Sequence, residues 1–305
     1  MANLKDIKNR IGSVESTKKI TRAMKMVAAA KVKKAENTVK ASRPFTNELN
    51  TMFNKLLKAV DTNGDFELKI TQAIDNYPKL LENRIVKNVG LLVITSNKGL
   101  AGAYNANVVR KTINKIEEYN AQGIKVTLFI IGQKGIAPLK RKAKKLNCEV
   151  AKTYHRIMND PTGAASNIIT EDLAEYFTED KIDKIEVITT RFRNMMSYFV
   201  EEWEVLPLSI SSGSEEELDP LIEFYPDMHC ILQKVVPLYI TNIIFQSILE
   251  AQASELASRM TAMSAATNNA EKMINELSVL YNKSRQNAIT QELIEVVSGA
   301  NSQAG

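Results

Sequence analysis

The chain is poor in the residues that redox, metal and membrane chemistry require. Cys148 and Cys230 are its only cysteines, far apart and in no CxxC spacing. No disulfide framework is therefore expected, and a reducing compartment is. The two histidines, His155 and His229, lack the His-x-x-Glu spacing of a zinc site. No apolar run reaches the roughly 18 residues that cross a bilayer, and Val89–Ile94 reads as a buried strand. The first residues, Met-Ala-Asn-Leu-Lys-Asp, have no apolar core and carry an acid at Asp6, so neither a secretory nor an organellar presequence is expected. Aromatic residues are only 6% of the chain and absent from residues 1–44, which argues against a single-stranded nucleic-acid site that stacks bases. Between Leu238 and Ser298 there is neither glycine nor proline. As one helix that stretch would extend about 90 Å.

What remains resembles an ordinary soluble composition, 44% hydrophobic and 25% charged, which excludes disorder and collagen. The 305 residues exceed one core of about 150, so two structural units are expected. Residues 1–60 hold 14 Lys and Arg against 4 Asp and Glu, and all of the net charge of +5 originates there. Lys18, Lys19, Arg22, Lys25, Lys31, Lys33 and Lys34 are its densest part. Such a run is ordinarily a solvated helix face. As a binding face, an acidic protein suits it better than nucleic acid.

Leu249, Ala253, Leu256, Met260, Met263, Thr267, Ala270, Ile274, Leu277 and Tyr281 are spaced by alternating fours and threes, a heptad seam. The first segment behaves alike at Leu4, Ile7, Ile11 and Val14, then resumes out of phase at Ile20, Met24 and Val27, which predicts a local change of winding. Pro44 and Pro237 are expected to kink or interrupt these helices. A narrow apolar stripe needs a partner, and the simplest is the other end of the same chain, antiparallel; a homodimeric coiled coil satisfies the heptads equally. Small residues crowd the last helix (Ala251, Ala253, Ser254, Ala257, Ser258, Ala262, Ser264, Ala265 and Ala266) and the first (Ala28, Ala29, Ala30), predicting a slender, smooth rod.

Between the helices, strands are expected at 89–95, 125–131, 184–190 and 196–206, with helices at 105–119, 135–146 and 163–177. The fold class is thus α/β plus a long coiled coil: an antiparallel helix pair from the two chain ends, with an inserted open, mostly parallel, Rossmann-like sheet ending in an antiparallel edge. The corresponding domains are 1–60, 75–210 and 226–300. The segment 209–217 reads as a surface loop.

No catalytic constellation emerges. The loop Thr95-Ser-Asn-Lys-Gly-Leu-Ala-Gly102 sits where α/β proteins bind phosphate, but Gly99 and Gly102 give neither G-x-x-x-x-G-K-[ST] nor G-x-G-x-x-G. A tight turn is the better account. Cys148 follows basic residues 140–145 and reads as an inert, buried thiol. No catalytic residue, metal ligand or cofactor is assigned.

Three blocks carry a resemblance. Ile11-Gly-Ser-Val-Glu-Ser-Thr-Lys-Lys-Ile-Thr-Arg-Ala-Met-Lys-Met-Val-Ala-Ala-Ala-Lys31 resembles the N-terminal signature of the γ subunits of rotary F-type ATP synthases. Ala253–Met263 and Tyr281–Gly299 resemble that family's C-terminal signature, and Thr95–Asn105 its TS(D/N)-(R/K)-GL-G-N segment. The resemblance implies a non-catalytic central shaft: a single copy inside three α and three β subunits, turning with a c ring, contacting an ε subunit, and coupling proton flow to ATP synthesis or hydrolysis at β. It implies a peripheral position on the cytoplasmic side of a bacterial plasma membrane. By motif match, Met24, Lys25, Arg259, Arg285, Gln286, Thr290, Gln291 and Glu292 would contact β, and Glu223, Phe224, Tyr225 and Asp227 would contact the c ring and ε. Photosynthetic members can carry an inserted two-cysteine segment; the absence of a close Cys pair here argues against a thiol switch.

Overall fold

The computed structural model describes residues 4–61, 84–146, 148–155, 157–207 and 228–303. Helix α1 (Leu4–Asp61) is followed by β1 (Asn88–Ile94), α2 (Tyr104–Ala121), β2 (Lys125–Ile131), α3 (Gln133–Ala143), β3 (Glu149–Tyr154), α4 (Gly163–Thr178), β4 (Lys184–Asn194), β5 (Ser197–Leu206) and α5 (Met228–Gln303). Two compact units result: residues 1–30 with 259–305, and residues 31–258.

In the larger unit the five strands lie in the order β3-β2-β1-β4-β5. The first four are parallel, and β4–β5 is antiparallel, as the sequence pattern predicts. Alternate residues of each strand enter different cores. Val89, Leu91 and Val93 of β1 and Val126, Leu128 and Ile130 of β2 meet Tyr104, Val108, Ile116 and Tyr119 of α2 and Leu139 of α3. Leu92, Ile94, Phe129 and Ile131 meet Ile169, Leu173 and Phe177 of α4, together with Phe53 and Leu56 of α1 and Val236, Ile240, Ile244 and Ile248 of α5. With helices on both faces, the central strands read as unbroken apolar runs.

The strand β3 is missing from the sequence expectation. It pairs only with β2, and every one of its residues after Glu149 is half-buried, so Glu-Val-Ala-Lys-Thr-Tyr shows neither an apolar run nor clean alternation. The prolines do not interrupt the helices: α1 runs through Pro44 and α5 through Pro237. Pro44 is exposed, where water can satisfy the carbonyl that its ring leaves unbonded.

The predicted change of phase in α1 is also corrected. Ile20, Met24 and Val27 are 55%, 42% and 58% exposed, whereas Lys18 and Thr21 are shielded and Ala28 is buried. Counted from Leu4, the covered positions keep the three-four alternation through residues 7, 11, 14, 18 and 21 and, past the exposed Lys25, meet it again at 28. The apolar residues, not the winding, leave the seam. In the larger unit the same spacing brings Val32, Ala35, Val39, Thr46, Leu49, Phe53 and Leu56 inward. Likewise Ala251, Ala253, Ser254 and Ala257 are buried. Their shortness permits close helix packing there, whereas Ala30 and Ala265 are exposed and Ala29, Ala262, Ser264 and Ala266 half-buried.

Candidate functional site

In the smaller unit the first and last helices pair antiparallel. Thr267 Oγ1 donates to Thr21 Oγ1 at 2.9 Å, and Lys18 Nζ reaches Glu271 Oε1 at 2.7 Å. A step back along α1 is thus a step forward along α5. The Lys18 ammonium holds the Glu271 carboxyl below its usual range. On α5 the expected seam is the covered face, with Met263 and Ala270 buried and Met260, Thr267, Ile274, Leu277 and Tyr281 half-buried.

The candidate β-contact residues fall into two groups along this pair. At 1.5 Å per residue from the Thr21–Thr267 level, Met24 and Arg259 are about 8 Å apart along the axis, whereas Arg285 lies about 30 Å from Met24. Met24, Lys25, Arg285, Gln286, Thr290, Gln291 and Glu292 are exposed and Arg259 is half-buried. The Thr290 hydroxyl donates back to the Gln286 carbonyl at 2.9 Å, and Gln291 Nε2 to Glu295 Oε1 at 3.2 Å. Arg285 makes no ion pair among the described residues, so its guanidinium is presented outward. By the same rise, Arg285 lies level with the described start of α1, and α5 beyond it has no α1 residue opposite among those described. Ile289, Leu293, Ile294, Val296 and Val297 are accordingly exposed. The sequence reasoning missed this outward apolar set. Glu223, Phe224, Tyr225 and Asp227, and the expected loop at 209–217, lie outside the described residues.

In the larger unit, the strand order places the usual ligand crevice between the carboxyl ends of β1 and β4. Helix α5 lies there. Thr189 Oγ1 donates to the Ser247 carbonyl at 2.9 Å, and Ser258 Oγ to the Ala101 carbonyl at 2.7 Å. The loop after β1 is itself closed: Asn105 Oδ1 accepts from Ser96 N and Ser96 Oγ, and Ser96 Oγ also meets the Lys98 carbonyl. Ser96 and Asn105 thus close the turn on itself, while Asn97 and the Ala101 carbonyl bond to neighbouring elements, which supports the tight-turn account of Gly99 and Gly102. Among the described residues, no group of three His, Cys, Asp or Glu could hold a metal ion. Burial raises the Cys148 thiol above its usual range.

A buried ionic knot was also missed. Arg43 Nε donates to Glu250 Oε1 at 2.8 Å and Arg43 Nη2 to Oε2 at 2.9 Å, while the Glu250 side chain is only 2% exposed. The hydrogen bond to Glu250 raises the Arg43 pKa further above its already high ordinary value. A sequence signal existed. Between Lys234 and Arg259 only Glu250 and Glu255 are charged, and a carboxylate in an apolar helix face must find a partner.

A mostly parallel sheet with crossover helices on both faces and the two chain-end helices packed on one of them defines a class: an α/β domain built onto a terminal helix pair. Residues 3–302 match the family described as ATP synthase. The chain is 37% identical to the ATP synthase gamma chain of Synechococcus sp. (strain JA-3-3Ab), over 98% of this chain and 99% of that one. It is also 37% identical to the gamma chain of Gloeobacter violaceus, over 99% and 100%. The central stalk and c-ring structure of the Tetrahymena thermophila mitochondrial ATP synthase matches at 25% identity with a TM-score of 0.56, covering 81% of this chain and 99% of that one. A chain of the Euglena gracilis mitochondrial ATP synthase shares the fold, with a TM-score of 0.67 over 98% and 94% at 18% identity. The chain belongs to the ATP synthase family, and its curated relatives are gamma chains.

Proposed function

We propose that this chain is the central rotor shaft of a proton-translocating F-type ATP synthase, coupling rotation of a membrane c ring to conformational change in catalytic β subunits. One observation carries the reading: near full-length similarity to gamma chains in a chain whose two ends pair antiparallel. The chain is itself non-catalytic. One copy stands among three α and three β subunits and meets ε and the c ring, peripheral on the cytoplasmic side of a bacterial plasma membrane. No described helix is long and apolar enough to cross a membrane, which supports attachment through the complex.

The mechanism is differential contact. An asymmetric shaft presents a different side to each of three chemically identical β subunits, and only a difference in contact free energy can bias equivalent conformations. In this reading Met24, Lys25 and Arg259 form one contact level with β. Arg285, Gln286, Thr290, Gln291 and Glu292 form a second, where the outward guanidinium suits an acidic loop. Glu223, Phe224, Tyr225 and Asp227 serve the c ring and ε.

Co-expression with α, β and the remaining subunits, the membrane c ring included, tests it. One copy per three α and three β is expected on purification, and ATP hydrolysis should pump protons only when the chain is present. A stable homodimer that leaves α and β unbound would instead establish a self-associating scaffold.

A further inference from the structure

Strand β4 outruns its neighbour. Its ladder with β1 ends at Val93 and Ile188, yet β4 continues to Asn194. Past Ile188 the β1-side edge of β4 therefore has no strand to bond to. At Phe192 the ionic knot does that work: Phe192 N donates to Glu250 Oε2 at 2.8 Å, and Arg43 Nη2 donates to the Phe192 carbonyl at 2.7 Å. Gln246 Nε2 adds a bond to Glu250 Oε1 at 3.1 Å. The carboxylate thus accepts from Arg43 Nε, Arg43 Nη2, Phe192 N and Gln246 Nε2, filling its four lone-pair positions. Three elements, α1, β4 and α5, meet on one charged group.

We propose that Arg43 and Glu250 are positioning residues that fix the angle at which the α/β sheet is held on the two helices, so that the sheet and helices of this unit carry tangential load without slipping.

The physical case rests on direction. Beyond the single hydrogen bonds from Thr189 to the Ser247 carbonyl and from Ser258 to the Ala101 carbonyl, the sheet meets the helices through the apolar cluster of Phe53, Val236, Ile240, Ile244 and Ile248 against Leu92, Phe129 and Val187. Apolar burial opposes separation but is non-directional, so it resists sliding only through shape. Hydrogen bonds weaken steeply as their angles open, and a bidentate Arg–carboxylate pair bound to the N–H and C=O of one residue has a single good geometry. Replacing such a pair with apolar residues is often neutral for stability. What the pair adds to this joint is then angular specificity rather than stability. The geometry stands on this unit alone, whereas the consequence for torque rests on the rotor reading.

The test measures the joint first and the complex second. In the full-length chain, with Cys148 and Cys230 replaced by serine, spin labels are placed at the exposed positions Met52 of α1 and Ile168 of α4. The unaltered joint should give one narrow distance distribution. Glu250→Gln, which keeps shape and loses charge, should broaden it, and Arg43→Lys, which keeps charge and loses the fork, should do the same. If Glu250→Gln does not fold, Arg43→Lys carries the test. In the assembled complex, Glu250→Gln should leave unloaded ATP hydrolysis intact. It should lower protons pumped per ATP against an opposing gradient by about threefold, the bias lost with a hydrogen bond or two. Unchanged distributions in both variants would overturn the proposal, and so would fewer assembled complexes with an unchanged loaded ratio. Pumping that proceeds without the chain would defeat the rotor reading instead, while the label distances would still decide the joint.

Discussion

Single residues here are constrained by what they would otherwise leave unbonded. Removing Glu250 leaves the buried Phe192 amide unbonded, whereas the Arg43 side chain, 36% exposed, can turn to water. Glu250→Ala should therefore cost about 1–3 kcal/mol, the range for one buried group left unsatisfied. Urea unfolding of the isolated chain gives the figure directly. Gly132 is constrained by space. It sits at φ +91°, and an added Cβ would come 2.0 Å from the Thr95 carbonyl oxygen, so Gly132→Ala should yield little soluble protein where Gly123→Ala, with nothing within 4 Å, costs only the strain of its positive φ. Glu202 gives a pH signature. Burial alone would raise its carboxyl, but the ammonium groups of Lys111 and Lys115, each 2.6 Å away, outweigh this and hold it below the usual range. A lowered folded value means that the contribution is present above the unfolded carboxylate pKa and lost as pH falls through the folded one. Below about pH 4, stability should fall more steeply in the native chain than in Glu202→Gln; parallel profiles in acid titrations followed by circular dichroism would show that the pair contributes nothing.

At the scale of elements, heptad spacing decides which face of a helix is covered, and residue type does not always agree. Ile20, Met24 and Val27 of α1 are apolar and exposed, while Lys18 and Thr21 lie in the seam. Ile20→Ser and Val27→Ser should therefore shift the unfolding free energy by no more than about 0.5 kcal/mol. Ile7→Ala, at a position 4% exposed, should cost about 2 kcal/mol or more. The opposite ranking would restore the out-of-phase seam. The small residues of α5 obey the same logic: where it crosses β4 and the loop after β1, Ala251, Ala253 and Ser254 allow the close approach that the Thr189–Ser247 contact requires.

For the whole molecule, the proposed function assigns the exposed residues of the helix pair to contacts with partner subunits. Arg285→Ala should leave unfolding unchanged and reduce ATP-driven proton pumping in the assembled complex by about tenfold, the effect of about 1.4 kcal/mol of lost contact. Lys140→Ala, exposed on α3, should do nothing measurable, and equal effects of the two would remove Arg285 from the contact. Much of this level was legible in the sequence. The alternation of strands and helices, the antiparallel edge at β5 and the seam from Leu249 to Tyr281 follow from periods of 2 and 3.5 residues. The short edge strand β3 was not legible, because a strand covered on few sides carries no burial period.

The sequence by itself determined the local period of every long element, the concentration of positive charge in the first sixty residues, and the family to which the terminal signatures belong, because each is written in consecutive or regularly spaced side chains. Tertiary structure alone decided which positions of α1 face inward at residues 18–28, that α5 covers the crevice between β1 and β4, and that Arg43, Phe192 and Glu250 meet. Those three residues are separated by well over a hundred positions of chain in one case and by dozens in the other. Contacts at such separations are set by how the elements pack, and no local pattern records them.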